Sequence, residues 1–394
     1  MARSHDMTSG SIWRSLLGFS IPIMISNLVQ STYNAVDMLF VGRFTGTESL
    51  AAVSVCGPIL NVMIITLSGM SAGVLVVISG LLGAGDIKQA QDAAHTSVAL
   101  YALMAAVMTV LGLLFVPQIL RLVQTPAAAM PEAKPYLYTV FAGTVFTFGY
   151  NLIGALQRGL GNAAASMSFV IISSAANIAL DAVFIVWLGM GAFGAALGTV
   201  LSQVAAFVIG TVQFARGGAA LRLSARAVRF HKKHLKNILL FGVPTALNEV
   251  MVNLAMLTVS GVANSFGLAS SAAYGVGSRI NSLAIFTDGA MNQTMSAYAS
   301  QNIGAGRQKR ALEGLWKAII LSAGAALGTS LLVLGFASEF SACFDSDPAV
   351  IEQSAAFLRV TVWSYPLFAT VGPLIGFIRG TGNVEASLLV GVVA

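Results

Sequence analysis

Residues 49–85 read SLAAVSVCGPILNVMIITLSGMSAGVLVVISGLLGAG, with no charge between Glu48 and Asp86. A helix crosses a bilayer with about 20 mostly apolar residues, so this stretch is long enough to span and to decide the solvent. The rest of the chain agrees with it. Of 394 residues, 56% are hydrophobic and 9% charged, against roughly 25% charged in soluble domains. A surface with so few charges faces lipid. The stretch from Met1 to Trp13 carries Arg3, His5 and Asp6 and has no cleavable apolar core, so it is not read as a secretory signal. Cys56 and Cys343 fit no disulfide or metal framework and read as packing residues.

With the charges as boundaries, ten helices follow, near 15–42, 49–82, 93–116, 136–156, 164–187, 191–214, 238–263, 269–302, 315–336 and 355–378. An eleventh begins after Glu385 and stops with the chain. The net charge of +6 is distributed as a membrane protein distributes it, so no nucleic-acid partner is inferred. One side collects Arg3, Arg14, Lys88, Arg158, Arg307, Lys309, Arg310, Lys317, Arg379 and the seven basic residues between Arg216 and Lys236. The other holds Arg43, Arg121, Lys134 and Arg359, with Glu339, Asp345, Asp347 and Glu352. Basic loops stay in the cytoplasm, which places the N-terminus inside a bacterial-type inner membrane.

The second half repeats the first at an offset of 221. Gly83-Ala84-Gly85 recurs as Gly304-Ala305-Gly306, and Lys88 and Ala90 are answered by Lys309 and Ala311. Arg158-Gly159-Leu160-Gly161-Asn162 recurs as Arg379-Gly380-Thr381-Gly382-Asn383. Six helices per copy, an even number, put both copies the same way up. The expected fold is therefore an all-α polytopic membrane protein of two parallel six-helix lobes, a twelve-span architecture. The N-lobe is 1–214, a basic cytoplasmic linker 215–237, and the C-lobe 238–394, with ten complete helices and the start of the eleventh. On this count the chain reads as C-terminally truncated, and poor transport by the chain as given is the expectation.

An ionisable side chain in mid-membrane costs about 2.5–3.5 kcal/mol on insertion scales and marks a functional site by default. Asp37, Asp181, Glu249, Arg279 and Asp288 qualify. In the first helix Asn27, Gln30, Asn34 and Asp37 step by three, four and three, so they form one polar stripe. Helix–helix glue accounts for the amides but does not require the acid. Asn177 and Asp181 stand one turn apart on the fifth helix, and Thr199 follows on the sixth. Carboxylate, amide and hydroxyl oxygens suit Na⁺, and buried acids suit a proton.

The run Tyr33-Asn34-Ala35-Val36-Asp37-Met38-Leu39-Phe40-Val41-Gly42 resembles the first-helix signature of multidrug and toxic-compound extrusion (MATE) transporters. Pro22 and Pro244 near the helix starts, the GAG loops and the RGxGN loops resemble that family too, from about residue 11 to 394. The resemblance implies two bundles around a central cavity, expelling cationic or amphipathic small molecules in exchange for Na⁺ or H⁺. It implies no cofactor, no obligate protein partner and, beside membrane lipids, only small-molecule substrates. It makes Asp37, Asn177, Asp181 and Thr199 the cation-coupling set, and places Gln30, Tyr33 and Asn34 along the cavity. Glu249 departs from the pattern: it follows Pro244 by five residues, where some members carry a carboxylate about eight residues after the proline. Glu249 and Asp288 are carried forward as candidates for substrate contact, and Asp288 and Arg279 have no counterpart in the first half.

Other classes fit less well. Gly83-Ala84-Gly85-Asp86 spells the GxGD string of intramembrane aspartyl proteases, but that chemistry needs two carboxylates sharing a site. The repeat copy ends in Arg307 instead, so a turn is the better reading. No Walker motif or HExxH is present, which argues against an ATP-driven pump or zinc protease. Major-facilitator transporters share the paired halves but not the loop signature. A lipid-linked or polysaccharide flippase of similar architecture is the nearer alternative; it would want a cationic cavity, for which Arg279 is the one candidate. His95, His231 and His234 read as solvated or interfacial residues.

Overall fold

A computed structural model describes residues 6–216, 221–284, 286–344, 346–383 and 386. In chain order the helices are α1 (Ile12–Phe44), α2 (Thr47–Gly83), α3 (Ile87–Leu122), α4 (Met130–Gly159), α5 (Ala163–Asp181) and α6 (Gly191–Arg216). The second half has α7 (Lys232–Ser265), α8 (Leu268–Ala284), α9 (Phe286–Gly304), α10 (Gln308–Ala342), α11 (Pro348–Thr361), α12 (Tyr365–Phe368) and α13 (Val371–Gly380). Nine helices among the described residues are long and apolar enough to cross a membrane, and the pair α8 and α9 covers the remaining span of the ten. The eleventh helix lies outside the described residues apart from Ala386.

Several boundaries differ from the charge map. Helices extend beyond their last apolar residue because backbone hydrogen bonding continues into the polar interface, so α3 begins at Ile87 rather than near 93. The tenth span is broken, running from α11 through a 3₁₀ turn at Val362–Ser364 into α12 and α13. Pro366 and Pro373, each lacking an N–H, flank the breaks. Pro22 and Pro244 lie inside α1 and α7, not at their starts.

The repeat is visible in geometry as well as letters. Gly85 and Gly306 both take a left-handed φ, 72° and 71°, as do Gly161 and Gly382 at 78° and 83°. A side chain at φ > 0 is strained, which explains why glycine ends each helix in both copies. Asn162 then caps α5 by accepting from the Ala165 N–H at 3.1 Å, and Asn383 accepts from Ala386 at the same distance. Ser79 donates to the Gly159 carbonyl at 3.1 Å, and Ser300 to that of Gly380 at 3.2 Å. Asp86, the acid of the GxGD string, caps α3 through the Gln89 N–H at 3.0 Å. Those Gln89 hydrogen bonds hold its carboxyl below the usual carboxylate range.

The halves meet at one end. A Cβ added at Gly83 would stand 2.1 Å from the Gln301 carbonyl oxygen, and one at Gly304 2.1 Å from that of Gly80. Those positions are related by the same offset, so α2 and α9 cross on the pseudo-twofold axis with backbones in contact. Gly69 and Gly73 admit α7 equally closely, at Gly242 and Ile238. Small residues permit such approach, and dispersion then holds the helices where lipid offers no hydrophobic drive. Leu16, Phe19, Leu75, Met295 and Tyr298 from both halves form one buried cluster there. Towards the other end α2 becomes exposed at Val62 and Ile64, and α7 from Leu254 to Phe266. The two halves are thus in backbone contact where the N-terminal segment and linker lie.

Three expectations need correcting. His95 and His234 are buried rather than solvated, because the linker folds over the start of α3 and α7. Cys56 is buried as a packing residue, but Cys343 is exposed at the end of α10. Arg379, assigned to a cytoplasmic loop, is only 6% exposed and donates to Asn292 Oδ1 at 3.1 Å.

Candidate functional site

The polar stripe of α1 faces α5. Asp37, half-buried on α1, stands beside the Asp181 carboxyl of α5. Asp181 is 0% and Asn177 1% exposed. Both Asp181 oxygens, Asp37 Oδ1 and both amide atoms of Asn177 find no hydrogen-bond partner among the described residues. Two charged carboxylates about 4 Å apart repel by about 4 kcal/mol at an effective dielectric of ~20. An unpartnered buried polar group adds about 1–3 kcal/mol. The cluster is therefore built for a positive species between its oxygens. A proton shared by two acids meets that need, and so does a hard cation ligated by carboxylate and amide oxygens.

Local structure sets this up. After Asp181 the α5 helix widens into a π-helical segment, Ala182–Trp187, a distortion that often accompanies functional sites. Gly198 of α6 makes room for the acid: a Cβ there would lie 2.4 Å from Asp181 Oδ1. Thr199 is the next residue, half-buried on the same helix. Tyr33, one turn before Asp37, and the buried Tyr136 of α4 stand near both acids.

Beside the acids is a small pocket of about 20 Å³, room for about one water. Gln30, Tyr33 and Asn177 line it, joined by Tyr150, Ser173, Ser174, Ser202 and Gln203. Thr147 donates to Gln203 Oε1, and Ser173 to the Ser202 carbonyl at 2.9 Å, which fixes part of the wall. Asn34 is exposed on α1 outside this lining. Gly198 and the serine wall were missed in the sequence, although the close spacing of Gly191, Gly194 and Gly198 is the small-residue signal of a tight helix contact.

The second-half candidates lie apart from this cluster. Asp288 Oδ1 accepts from the Gly372 N–H at 2.8 Å, at the first turn of α13, where an acid also complements the helix dipole. The carboxylate thereby holds the lower piece of the broken tenth span. Glu249 is half-buried on α7 with Arg379 as a charged neighbour, beyond ion-pair contact. Arg279 is exposed on α8.

A family model described as MatE matches residues 22–183 and 244–394. Among curated proteins, "Probable multidrug resistance protein YpnP" of Bacillus subtilis is 26% identical over 392 residues, covering 100% of this chain and 88% of the relative. "Probable multidrug resistance protein YoeA" of the same organism is 29% identical over 387 residues, covering 95% and 82%. Among solved structures, the outward-facing conformation of a multidrug resistance MATE family transporter of the MOP superfamily superposes with a TM-score of 0.90. It is 25% identical, and the match covers 100% of this chain and 88% of that one.

Proposed function

The chain belongs to the MatE family, and from that premise we propose that it is a secondary antiporter exporting cationic or amphipathic small molecules against Na⁺ or H⁺. The observation that carries the reading is the facing pair Asp37 and Asp181, whose buried oxygens lack partners. A transporter coupled to an ion needs a site whose occupancy changes its energy, and this one is strained when empty of positive charge. Asn177 and Thr199 complete the set, and the adjoining pocket, with room for about one water, gives an ion a polar approach to it. Gln30 and Tyr33 connect the two, so loading the acids can be felt by whatever occupies the pocket.

With the N-terminus cytoplasmic, the end where the halves are in backbone contact is the inner one. The inward gradient then loads the acids from outside with leverage of about 2.3 kcal/mol per charge per 100 mV. That is enough to tip a balanced two-state equilibrium strongly. Substrate leaves outward, the halves rearrange, and ion release inside resets the cycle. Glu249 has a secondary role, contacting substrate from the second half of the bundle.

The test is transport in proteoliposomes with Na⁺ and pH gradients imposed separately. Asp37→Asn and Asp181→Asn should each abolish gradient-driven efflux while leaving expression and folding near parental, because Asn is near isosteric and cheaper to bury. Thr199→Ala should act more mildly, and selectively if Na⁺ is the ion. In a chain completed with the C-terminal helices of a homologue, efflux at the parental rate by both Asp→Asn variants would refute the coupling site.

A further inference from the structure

We propose, resting on the transporter reading above, that residues 6–10 and 221–231 are repeat-related straps that latch the inner side of the transporter shut. Each leads into the first helix of one half and docks on the other half. The first strap enters α1 but is held by α9 and α10. Met7 is 0% exposed, and its side chain joins the cluster built from both halves. Its N–H donates to Gln301 Oε1 at 3.1 Å, and its carbonyl accepts from Asn302 Nδ2 at 3.2 Å. Arg307 donates to the Thr8 carbonyl, and Arg310 to that of Ser9 at 2.8 Å.

The second strap enters α7 but is held by α3. The Arg222 N–H donates to Gln91 Oε1 at 2.7 Å, and the Gln91 amide donates back to the Arg222 carbonyl. The His231 N–H donates to Thr96 Oγ1 at 3.2 Å, and Lys233 Nζ to Gln89 Oε1 at 2.7 Å. At the repeat offset, residues 6–10 correspond to 227–231 and Gln89 to Arg310, so the last residues of each strap pass over equivalent helices, α10 and α3, of the opposite half.

A connecting segment ordinarily leaves its backbone groups to water or to its own neighbours. Here side chains of the opposite half bind them one by one. Opening the inner side separates α2 from α9 at Gly83 and Gly304, and each strap must then leave its dock. The hydrogen bonds are therefore made in the shut state and lost in the open one, which is the differential interaction a latch requires.

Spin labels at K88C and K309C, exposed and repeat-related at the inner ends of α3 and α10, report the separation of the halves in a C56A/C343S background. Asn302→Ala with Arg310→Ala removes the first dock, and Gln91→Ala with Thr96→Val the second. Each pair should raise the ratio of open to shut distances about two- to twelvefold, the worth of roughly one net hydrogen bond, and all four together by about the product. A short cleavable thiol crosslinker joining T8C to R307C should stop efflux, and its cleavage should restore it. Unchanged distance distributions in all variants, or equal efflux before and after cleavage, would overturn the proposal. If distances respond but neither the cleaved nor the parental protein transports, even when completed with the C-terminal helices of a homologue, the latches stand and the transporter reading falls.

Discussion

Gly198→Ala isolates the geometry of the acid site with one methyl group. That methyl would meet Asp181 Oδ1 at 2.4 Å, Cγ at 3.5 Å and the backbone nitrogen at 3.5 Å. The first contact lies far inside van der Waals distance, and the carboxylate is fully buried, so it cannot swing into solvent. Either the carboxyl turns towards Asp37 or α6 withdraws from α5. Overpacking of this kind costs about 1–3 kcal/mol. If the carboxyl yields, that strain appears as ion affinity weakened about 5- to 150-fold, by the usual conversion of a coupling energy. The assay is efflux in proteoliposomes as a function of external Na⁺ and of pH. The half-saturating ion concentration should rise about fivefold or more while expression stays near parental. Gly57→Ala, also within a helix but with nothing inside 4 Å of the added methyl, is the control and should transport like the parent. An unaltered ion dependence for Gly198→Ala, with Gly57→Ala equally silent, would show that Asp181 is not held against α6 as described.

Gly83→Val and Gly304→Val should each disrupt inner closure, since even the first side-chain carbon meets a backbone carbonyl at 2.1 Å; the K88C–K309C spin-label distances should shift to longer values, and an unchanged distribution would contradict the crossing. In intact cells a membrane-impermeant thiol reagent should label exposed Cys343 from outside and leave S224C unlabelled in a C343S background; the opposite pattern would invert the topology. Asp288→Ala should destabilise by about 1–3 kcal/mol by orphaning the Gly372 N–H, whereas Asp288→Asn keeps the acceptor and should melt near the parental temperature. Equal melting of all three would deny the carboxylate its hold on α13.

The span positions, the repeat and the polar stripe were legible in the sequence because each depends on local facts. Charges avoid hydrocarbon, glycine alone takes a left-handed φ without strain, and residues three and four apart share a helix face. Asp37, Asn177 and Asp181 could be singled out on that basis, since an acid on an apolar helix stands out wherever it is. What the letters did not contain was which helix face meets which. Lipid tails are as apolar as leucine, so hydropathy is silent on helix partners, and shape decides them. Only the fold brought Asp37 on α1 against Asp181 on α5, with Gly198 as the space between α5 and α6. Only the fold put the GAG glycines of the two copies on one axis, buried Arg379, and broke the tenth span beneath Asp288. The swapped straps depend on it most of all, because polar side chains such as Gln301 and Gln91 read as ordinary interface residues until the opposite half supplies the backbone they bind.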